Sequence, residues 1–263
     1  MAFTRSDDLV IRYHDLGKGE PAVLCLPGWC ASRHAFDDFA DQLSQHRRVI
    51  ALDWRGHGAS DPATADFGAK ELLRDALAVI EASGARRIVP LATAHAGWVA
   101  IELRRALGRH RIPKLLLADW IVTAAPPPFI GGLNALQDEA SWQAVRDQLF
   151  AMWTHDVEDP RVLGYVREDM GSYGFDMWSR AGREISAAYA RAGSPVEALA
   201  KLDPPPPTLH LFASPSGADS LEAQRAFAAA HPWFHVQPLD ARSHFPTLEV
   251  PDQLIAPIQR FLA

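Results

Sequence analysis

Nearly continuous apolar runs that alternate with helix-period segments constrain this chain more than any other feature. Ala22-Val23-Leu24-Cys25-Leu26, Arg48-Val49-Ile50-Ala51-Leu52, Ile88-Val89-Pro90-Leu91-Ala92, Leu115-Leu116-Leu117-Ala118 and the stretches 208–213 and 234–239 read as strands. A strand with one wet face would alternate polar and apolar residues. Uninterrupted apolar character, clearest in the earlier runs, means burial on both faces, the situation of parallel strands covered by helices. The covering helices are expected at 36–45, 69–82, 99–107, 221–230 and 253–262, where apolar residues recur at helical spacing. The expected fold class is therefore α/β, with a mostly parallel central sheet flanked by helices. Pro90 is the awkward residue, because a proline has no N–H to give to a sheet ladder.

The pattern changes to mostly helical between two proline clusters, Pro126-Pro127-Pro128 and Asp203-Pro204-Pro205-Pro206-Pro207, which resist both helix interiors and central strands. This punctuation divides the chain into a first core part (1–124), a helical cap (125–203) and a second core part (204–263). With 263 residues, 48% hydrophobic and 22% charged, the chain suits one large domain that carries an insertion. The cap holds Phe129, Trp142, Phe150, Trp153, Tyr173, Phe175, Trp178 and Tyr189, which either line a ligand cavity or form the cap's own core. A net charge of −6 without a basic run argues against nucleic acid or an anionic membrane as a partner. Neither a signal-peptide pattern nor an apolar stretch approaching about 18 residues occurs, so a soluble cytoplasmic protein is expected. Cys25 and Cys30 cannot build a disulfide framework and are poorly spaced for zinc; both are read as reduced packing residues.

The candidate chemistry lies where the strand runs end. Ala92-Thr93-Ala94-His95-Ala96-Gly97 follows the third run and opens a helical segment. In an α/β-hydrolase fold this is the nucleophile elbow, whose flanking positions must be small so that backbones can approach. Ala92 and Ala96 satisfy that demand, but the central side chain, Ala94, is an inert methyl group. Leu26-Pro27-Gly28-Trp29-Cys30 follows the first run, where this fold places one donor of an oxyanion hole. The backbone N–H groups of Trp29 and His95 would together hold an anionic substrate oxygen. Asp119 ends the fourth run, and His244 lies after the last strand and before the last helix. An acid on one imidazole nitrogen fixes the tautomer and leaves the other nitrogen to take a proton. Each part has a bland reading: a small-residue crossing, a turn, a packed histidine. The chain order of elbow, acid and base is what joins them. His57, in Asp53-Trp54-Arg55-Gly56-His57-Gly58, is read as structural. His231 and His235 make a weak zinc pair, because Pro232 interrupts them and an acid is missing.

These residues resemble the cofactor-independent 3-hydroxy-4(1H)-quinolone 2,4-dioxygenases, which have an α/β-hydrolase fold. The resemblance spans nearly the whole chain. It rests on Leu26-Pro27-Gly28-Trp29-Cys30, Asp53-Trp54-Arg55-Gly56-His57, His95 with Trp98, Asp119-Trp120, Trp153, Trp178 with Arg183-Glu184-Ile185, Gly193-Ser194-Pro195, His231-Pro232-Trp233-Phe234 and His244-Phe245-Pro246. It implies insertion of O2 into a heterocycle, loss of carbon monoxide and an N-acylanthranilate product, with no metal or organic cofactor. The implied partners are a small aromatic heterocycle and O2. His244 would be the general base and Asp119 its orienter; Trp29 and His95 would hold the ring carbonyl through their backbones. Trp153 would flank the oxygen region, and Ile121, Phe129, Leu149, Trp178 and Ile185 would clamp the ring. Two positions depart from the family pattern: Ala94 stands where a serine is usual, and Ala31 where a histidine is usual. A reaction without a covalent adduct loses at most a hydrogen bond with that serine. The more apolar site points to a 2-alkyl-3-hydroxy-4(1H)-quinolone, a type of quorum-sensing signal, with Leu133, Leu136, Leu149 and Phe150 as neighbours of the alkyl tail. Two alternatives remain: a hydrolase of an ester or C–C bond, which would need a nucleophile at position 94, and a non-catalytic binding protein, which would leave Asp119 and His244 without a purpose.

Overall fold

The computed structural model describes residues 1–213 and 217–263. Among them eight strands form one sheet in the order β1-β2-β4-β3-β5-β6-β7-β8. The six expected strands all form, as β3 (Ala22–Leu26), β4 (Val49–Leu52), β5 (Ile88–Thr93), β6 (Leu115–Ala118), β7 (Thr208–Phe212) and β8 (Phe234–Pro238). They pair in parallel from β4 through to β8. The first two strands, β1 (Ala2–Ser6) and β2 (Leu9–Leu16), add an antiparallel edge that the apolar runs do not announce. Its outer strand alternates between covered and exposed residues, with Phe3 60% exposed, so it lacks the continuous apolar signature of a two-sided strand. Pro90 does lie inside β5, opposite Leu24 of β3. The ladder to β6 begins one residue later, at Leu91 with Leu116, where a missing N–H disturbs the sheet least.

Helices α1 (Asp37–Ser44), α2 (Ala69–Ser83) and α3 (Gly97–Arg111) cover the first half of the sheet. In α2 the residues Leu72, Asp75, Ala76, Val79 and Ile80 are buried, a spacing of three and four that turns one face to the core. Its first turn is fixed by Glu71, whose carboxylate accepts the Gly68 N–H at 2.8 Å, and it ends at Gly84 in the left-handed conformation, φ 67°. The chain between β6 and β7 is helical: α4 (Pro127–Ala135), α5 (Trp142–Trp153), α6 (Pro160–Gly164), α7 (Phe175–Ala192) and α8 (Pro195–Ala200). A single π turn, Tyr165–Asp169, follows α6. Three helices complete the chain: α9 (Ala218–Ala230), α10 (Pro246–Glu249) and α11 (Pro251–Leu262).

Polar bonds tie the helical stretch to the sheet half. Arg180 and Arg183 both reach Asp66, and Glu184 accepts the Ala69 N–H at 2.9 Å, so α7 is pinned to the start of α2. Tyr165 accepts the Ser32 N–H at 3.0 Å, and Ser32 Oγ donates to Asp169 at 2.6 Å, which fastens the π turn to the loop after β3. Beneath these contacts lies a buried ion pair. Arg55 donates to Asp75 at 2.6 Å, with side-chain exposures of 6% and 0%, and also reaches Ser6 and Asp7. Removing the acid strands a guanidinium away from water, so Asp75→Ala is expected to lower unfolding stability by about 3 kcal/mol, the low end for a broken buried pair because two lesser partners remain. Urea unfolding curves check this; a loss below about 0.5 kcal/mol, the range of ordinary surface substitutions, would refute it.

Candidate active site

Parallel strands end together along one edge of a sheet, and this edge is where open α/β folds present reactive groups. Here β3 delivers Gly28 and Trp29, β5 delivers Ala94 and His95, and β6 delivers Asp119. The loop after β8 brings His244 to the same edge. Ala94 has φ 47°, so the elbow keeps its left-handed turn even though its side chain is a methyl group. That conformation costs an alanine about 1–2 kcal/mol and is imposed by its surroundings. Thr93 Oγ1 accepts the Gly28 N–H at 3.1 Å and donates to the Leu26 carbonyl at 3.4 Å, locking the elbow to the loop after β3. On the other side Gly97 lies under the Trp120 ring, where a Cβ would meet the indole at 2.2 Å. Among the described residues neither the Trp29 nor the His95 amide meets a protein acceptor.

His244 Nδ1 lies 2.5 Å from Asp119 Oδ2. Asp119 is 1% exposed, and its other oxygen accepts the Ala213 N–H at 3.3 Å. With Nδ1 engaged, His244 turns Nε2 to the cavity. The Trp153 ring stacks on the imidazole at 4.9 Å and 18°, and the Trp153 carbonyl accepts the His244 N–H at 3.1 Å. The His244 imidazole is therefore fixed by an acid from the sheet and by an aromatic face from α5.

A cavity of about 760 Å³ opens over this edge. Trp29, Ala94, His95, Asp119 and His244 form its floor, and Ile121, Phe129, Leu149, Trp153, Trp178 and Ile185 contribute to its walls. Trp29, His95, Asp119, His244 and the six expected ring and oxygen neighbours thus meet in one space. Ala31, Leu133 and Leu136 line it as well. Phe150 does not: it packs behind Trp153 and Trp178, with ring centroids at 6.1 and 5.6 Å. Leu149 and Trp153, one turn apart on α5, line the cavity, whereas Phe150 packs away from it. Tyr165, Met170, Phe245 and Thr247 close one end and Ser220 stands near another, none of them foreseen. Phe245 had a signal in its adjacency to His244; Tyr165 comes from the π turn, Met170 from the tight turn after it, Thr247 from the short α10 and Ser220 from the first turn of α9.

The other histidines separate clearly. His57 is saturated, with Nδ1–H donating to the Arg55 carbonyl at 2.9 Å and Nε2 accepting the Cys30 N–H at 3.2 Å, which bears out its structural reading. Burial pushes it down to about 4. Burial also pushes His95 down, to about 3, with repulsion from His244 adding to the effect. His231 Nδ1–H donates to the Phe227 carbonyl at 2.9 Å and its ring stacks on Phe227, and His235 meets Phe261 edge-on. Among the described residues no group of three or more His, Cys, Asp or Glu side chains is arranged to hold a metal. Cys25 and Cys30 are free and buried. Among the described residues no helix is long and apolar enough to cross a membrane.

A sheet of this order, an elbow and an acid–base pair at its edge define a class, and the chain belongs to it: the model of the alpha/beta hydrolase family matches residues 23–256. Within that class the similarities are specific. The chain is 37% identical over 236 residues to the 2-heptyl-3-hydroxy-4(1H)-quinolone dioxygenase of Mycobacteroides abscessus, covering 90% of this chain and 88% of that protein. It is 35% identical over 242 residues to the 1H-3-hydroxy-4-oxoquinoline 2,4-dioxygenase of Pseudomonas putida, covering 92% and 91%. A solved structure of a variant of the dioxygenase AqdC with its substrate, the Pseudomonas quinolone signal, superposes with a TM-score of 0.94 at 34% identity, over 99% of this chain and 98% of that one. The chain is a member of the 3-hydroxy-4-quinolone dioxygenase family.

The depressed histidines carry a pH consequence. An unfolded chain binds protons at His57 and His95 as the pH falls through their ordinary value near 6.5, whereas the folded chain does not until about 4 and 3. The unfolded state then holds more protons, so stability falls as the pH drops below 6.5. Urea midpoints at pH 7.0, 6.0 and 5.0 are expected to decline, and His57→Gln is expected to flatten that decline. An identical slope in the variant would mean that His57 is protonated in the folded protein.

Proposed function

We propose that the protein is a cofactor-free dioxygenase that opens the heterocycle of a 2-alkyl-3-hydroxy-4(1H)-quinolone. The observation that carries this reading is a held base with no nucleophile: His244 and Asp119 are 2.5 Å apart beside an elbow whose side chain is only a methyl group. A hydrolase on this fold needs the elbow side chain to attack a carbonyl. A reaction that begins with proton removal needs only the base. The names of the relatives point the same way, and the cavity's size suits a ring with a tail, within the roughly 300–1,000 Å³ common for small-molecule sites.

In this reading His244 Nε2 removes the 3-hydroxyl proton while Asp119 supports the imidazolium that forms. The Trp29 and His95 amides hold the ring's C4 oxygen, where negative charge is shared. The organic anion is the reductant for O2: one oxygen atom bonds to C2 and the other to C4, the C2–C3 and C3–C4 bonds break, and C3 leaves with its own oxygen as carbon monoxide. The remaining atoms are an N-acylanthranilate. Trp153, stacked on His244, flanks the oxygen path; Phe129, Trp178, Ile121, Ile185 and Leu149 hold the ring, and Leu133 and Leu136 border the tail. The helical stretch 125–203 acts as the cap that keeps water from the anion. Each methylene of the tail that leaves water contributes about 0.8 kcal/mol, so chain length governs selectivity.

Metal-stripped protein incubated with 2-heptyl-3-hydroxy-4(1H)-quinolone is expected to take up O2 and release carbon monoxide in equal amounts, with no reaction anaerobically. His244→Ala is expected to lower turnover by about 10²–10⁴-fold, the range for a positioned general base. Asp119→Asn is expected to cost less, and Ala94→Ser to be tolerated. Tight binding without oxygen uptake, or near-normal turnover in His244→Ala, would reject the assignment.

A further inference from the structure

One buried polar chain lies beside the base and has no part in the steps above. The Trp120 indole Nε1–H donates to His95 Nδ1 at 3.1 Å. An indole nitrogen can only donate, so Nδ1 must be the acceptor and the single proton of the neutral ring sits on Nε2. The lock continues inward. Trp120's backbone N–H donates to His210 Nε2 at 3.1 Å, His210 Nδ1 lies 2.5 Å from Gln224 Oε1, and the Gln224 amide donates to Ser220 Oγ at 3.2 Å. Trp120, His210 and Gln224 are at most 1% exposed. The directions agree along the whole chain: each group that must donate meets one that must accept.

The His95 ring is held on its faces as well. Phe129 stacks on it at 5.5 Å and 20°, and Tyr189 meets it edge-on at 5.8 Å. His95 lines the cavity, and among the described residues Nε2 has no protein acceptor. Burial and the nearby His244 keep it from taking a second proton at ordinary pH. A neutral imidazole of fixed tautomer is a donor that cannot become an acid by protonation, and in a dry site it stabilises an adjacent oxyanion without reorganising.

We propose that His95 serves the ligand through its side chain as well as its backbone: its Nε2–H donates to an oxygen of the ionised quinolone, and Trp120, whose backbone is held by His210, is the positioning residue that fixes the tautomer. This rests on the dioxygenase reading above. It also gives the departure at position 94 a physical sense, because in this chain the donor that a serine would place at the elbow is supplied one residue later.

Two measurements test the proposal. Imidazole ¹⁵N NMR of the free protein is expected to show His95 as the Nε2–H tautomer, and Trp120→Phe to show a mixture; an Nδ1–H tautomer in the wild-type protein overturns the lock. The second measurement follows the absorbance of anaerobically bound 2-heptyl-3-hydroxy-4(1H)-quinolone across pH, and its aerobic turnover. His95→Leu keeps the backbone amide and loses the donor. It is expected to lower kcat by about 10- to 100-fold, more than it changes KM, and to raise the pH of ligand ionisation by about one unit. His95→Gln, whose amide N–H reaches to nearly the same place, is expected to recover most of both. Wild-type values in His95→Leu, or equal losses in the Leu and Gln variants, overturn the donor role. If the wild-type protein neither binds nor oxidises the quinolone, the dioxygenase reading falls and the donor role falls with it, while the NMR result still judges the lock.

Discussion

Asp119 is the constraint on which the site's arrangement depends. A carboxylate that is 1% exposed persists only if its oxygens are hydrogen-bonded, because an unpaired buried charge costs several kcal/mol. Its two oxygens reach in two directions, to the Ala213 N–H just beyond β7 and to His244 in the loop after β8. Its own N–H is taken by the Leu211 carbonyl at 2.9 Å. The order β6-β7-β8 is therefore fixed by parallel pairing and by one side chain that needs all three to arrive together. At φ 39° Asp119 adopts a left-handed conformation that few residues other than glycine, asparagine and aspartate tolerate. The residue that supports the base is also one that suits the bend.

The elbow shows what survives when a nucleophile is absent. Ala94 keeps a strained backbone with no hydroxyl to aim, so the turn is retained for something other than its own side chain. It places His95 at the cavity floor with Trp29 and lets Gly97 pass beneath Trp120. Strain at a functional position is sustained by packing around it. Here the packing comes from Thr93, tied to Gly28, and from the Trp120 ring. An imidazole engaged by a buried acid beside a strained turn that carries no hydroxyl is an incomplete set for acyl transfer.

Strands β3 to β7 were legible because they are buried on both faces and read as apolar runs. The β1–β2 hairpin was not, since its residues carry the mixed polarity of an edge. Asp119 and His244 could be picked out because strand ends and chain order restrict where such groups occur. Phe150 was misplaced because sequence distinguishes an aromatic residue from a polar one but not the two sides of a helix under a cap. Tyr165 reaches the cavity through a π turn and Met170 through the tight 3₁₀ turn that follows it, whose side-chain directions follow neither period two nor period 3.6. The tautomer of His95 was out of reach for a different reason. It is set by the indole of a residue 25 positions away, whose backbone N–H is in turn held by a histidine 90 positions further on.

Asp119 and Trp120 are neighbours, and each governs a different histidine. The carboxylate engages Nδ1 of His244, which leaves that ring's Nε2 as an acceptor toward the cavity. The indole donates to Nδ1 of His95, which leaves that ring's Nε2 as a donor. Two adjacent side chains leaving the end of one strand thus leave opposite polarities at two imidazoles: an acceptor nitrogen on one and a donor nitrogen on the other. Had both rings met carboxylates, both would present acceptors and could both become charged, and the repulsion that already pushes His95 down would act against the base. An indole in the second position avoids that conflict, because it fixes a tautomer without bringing a charge. The Asp-Trp pair therefore sets the division of labour at the cavity floor, and the spatial separation of β5 from the loop after β8 keeps the two imidazoles distinct.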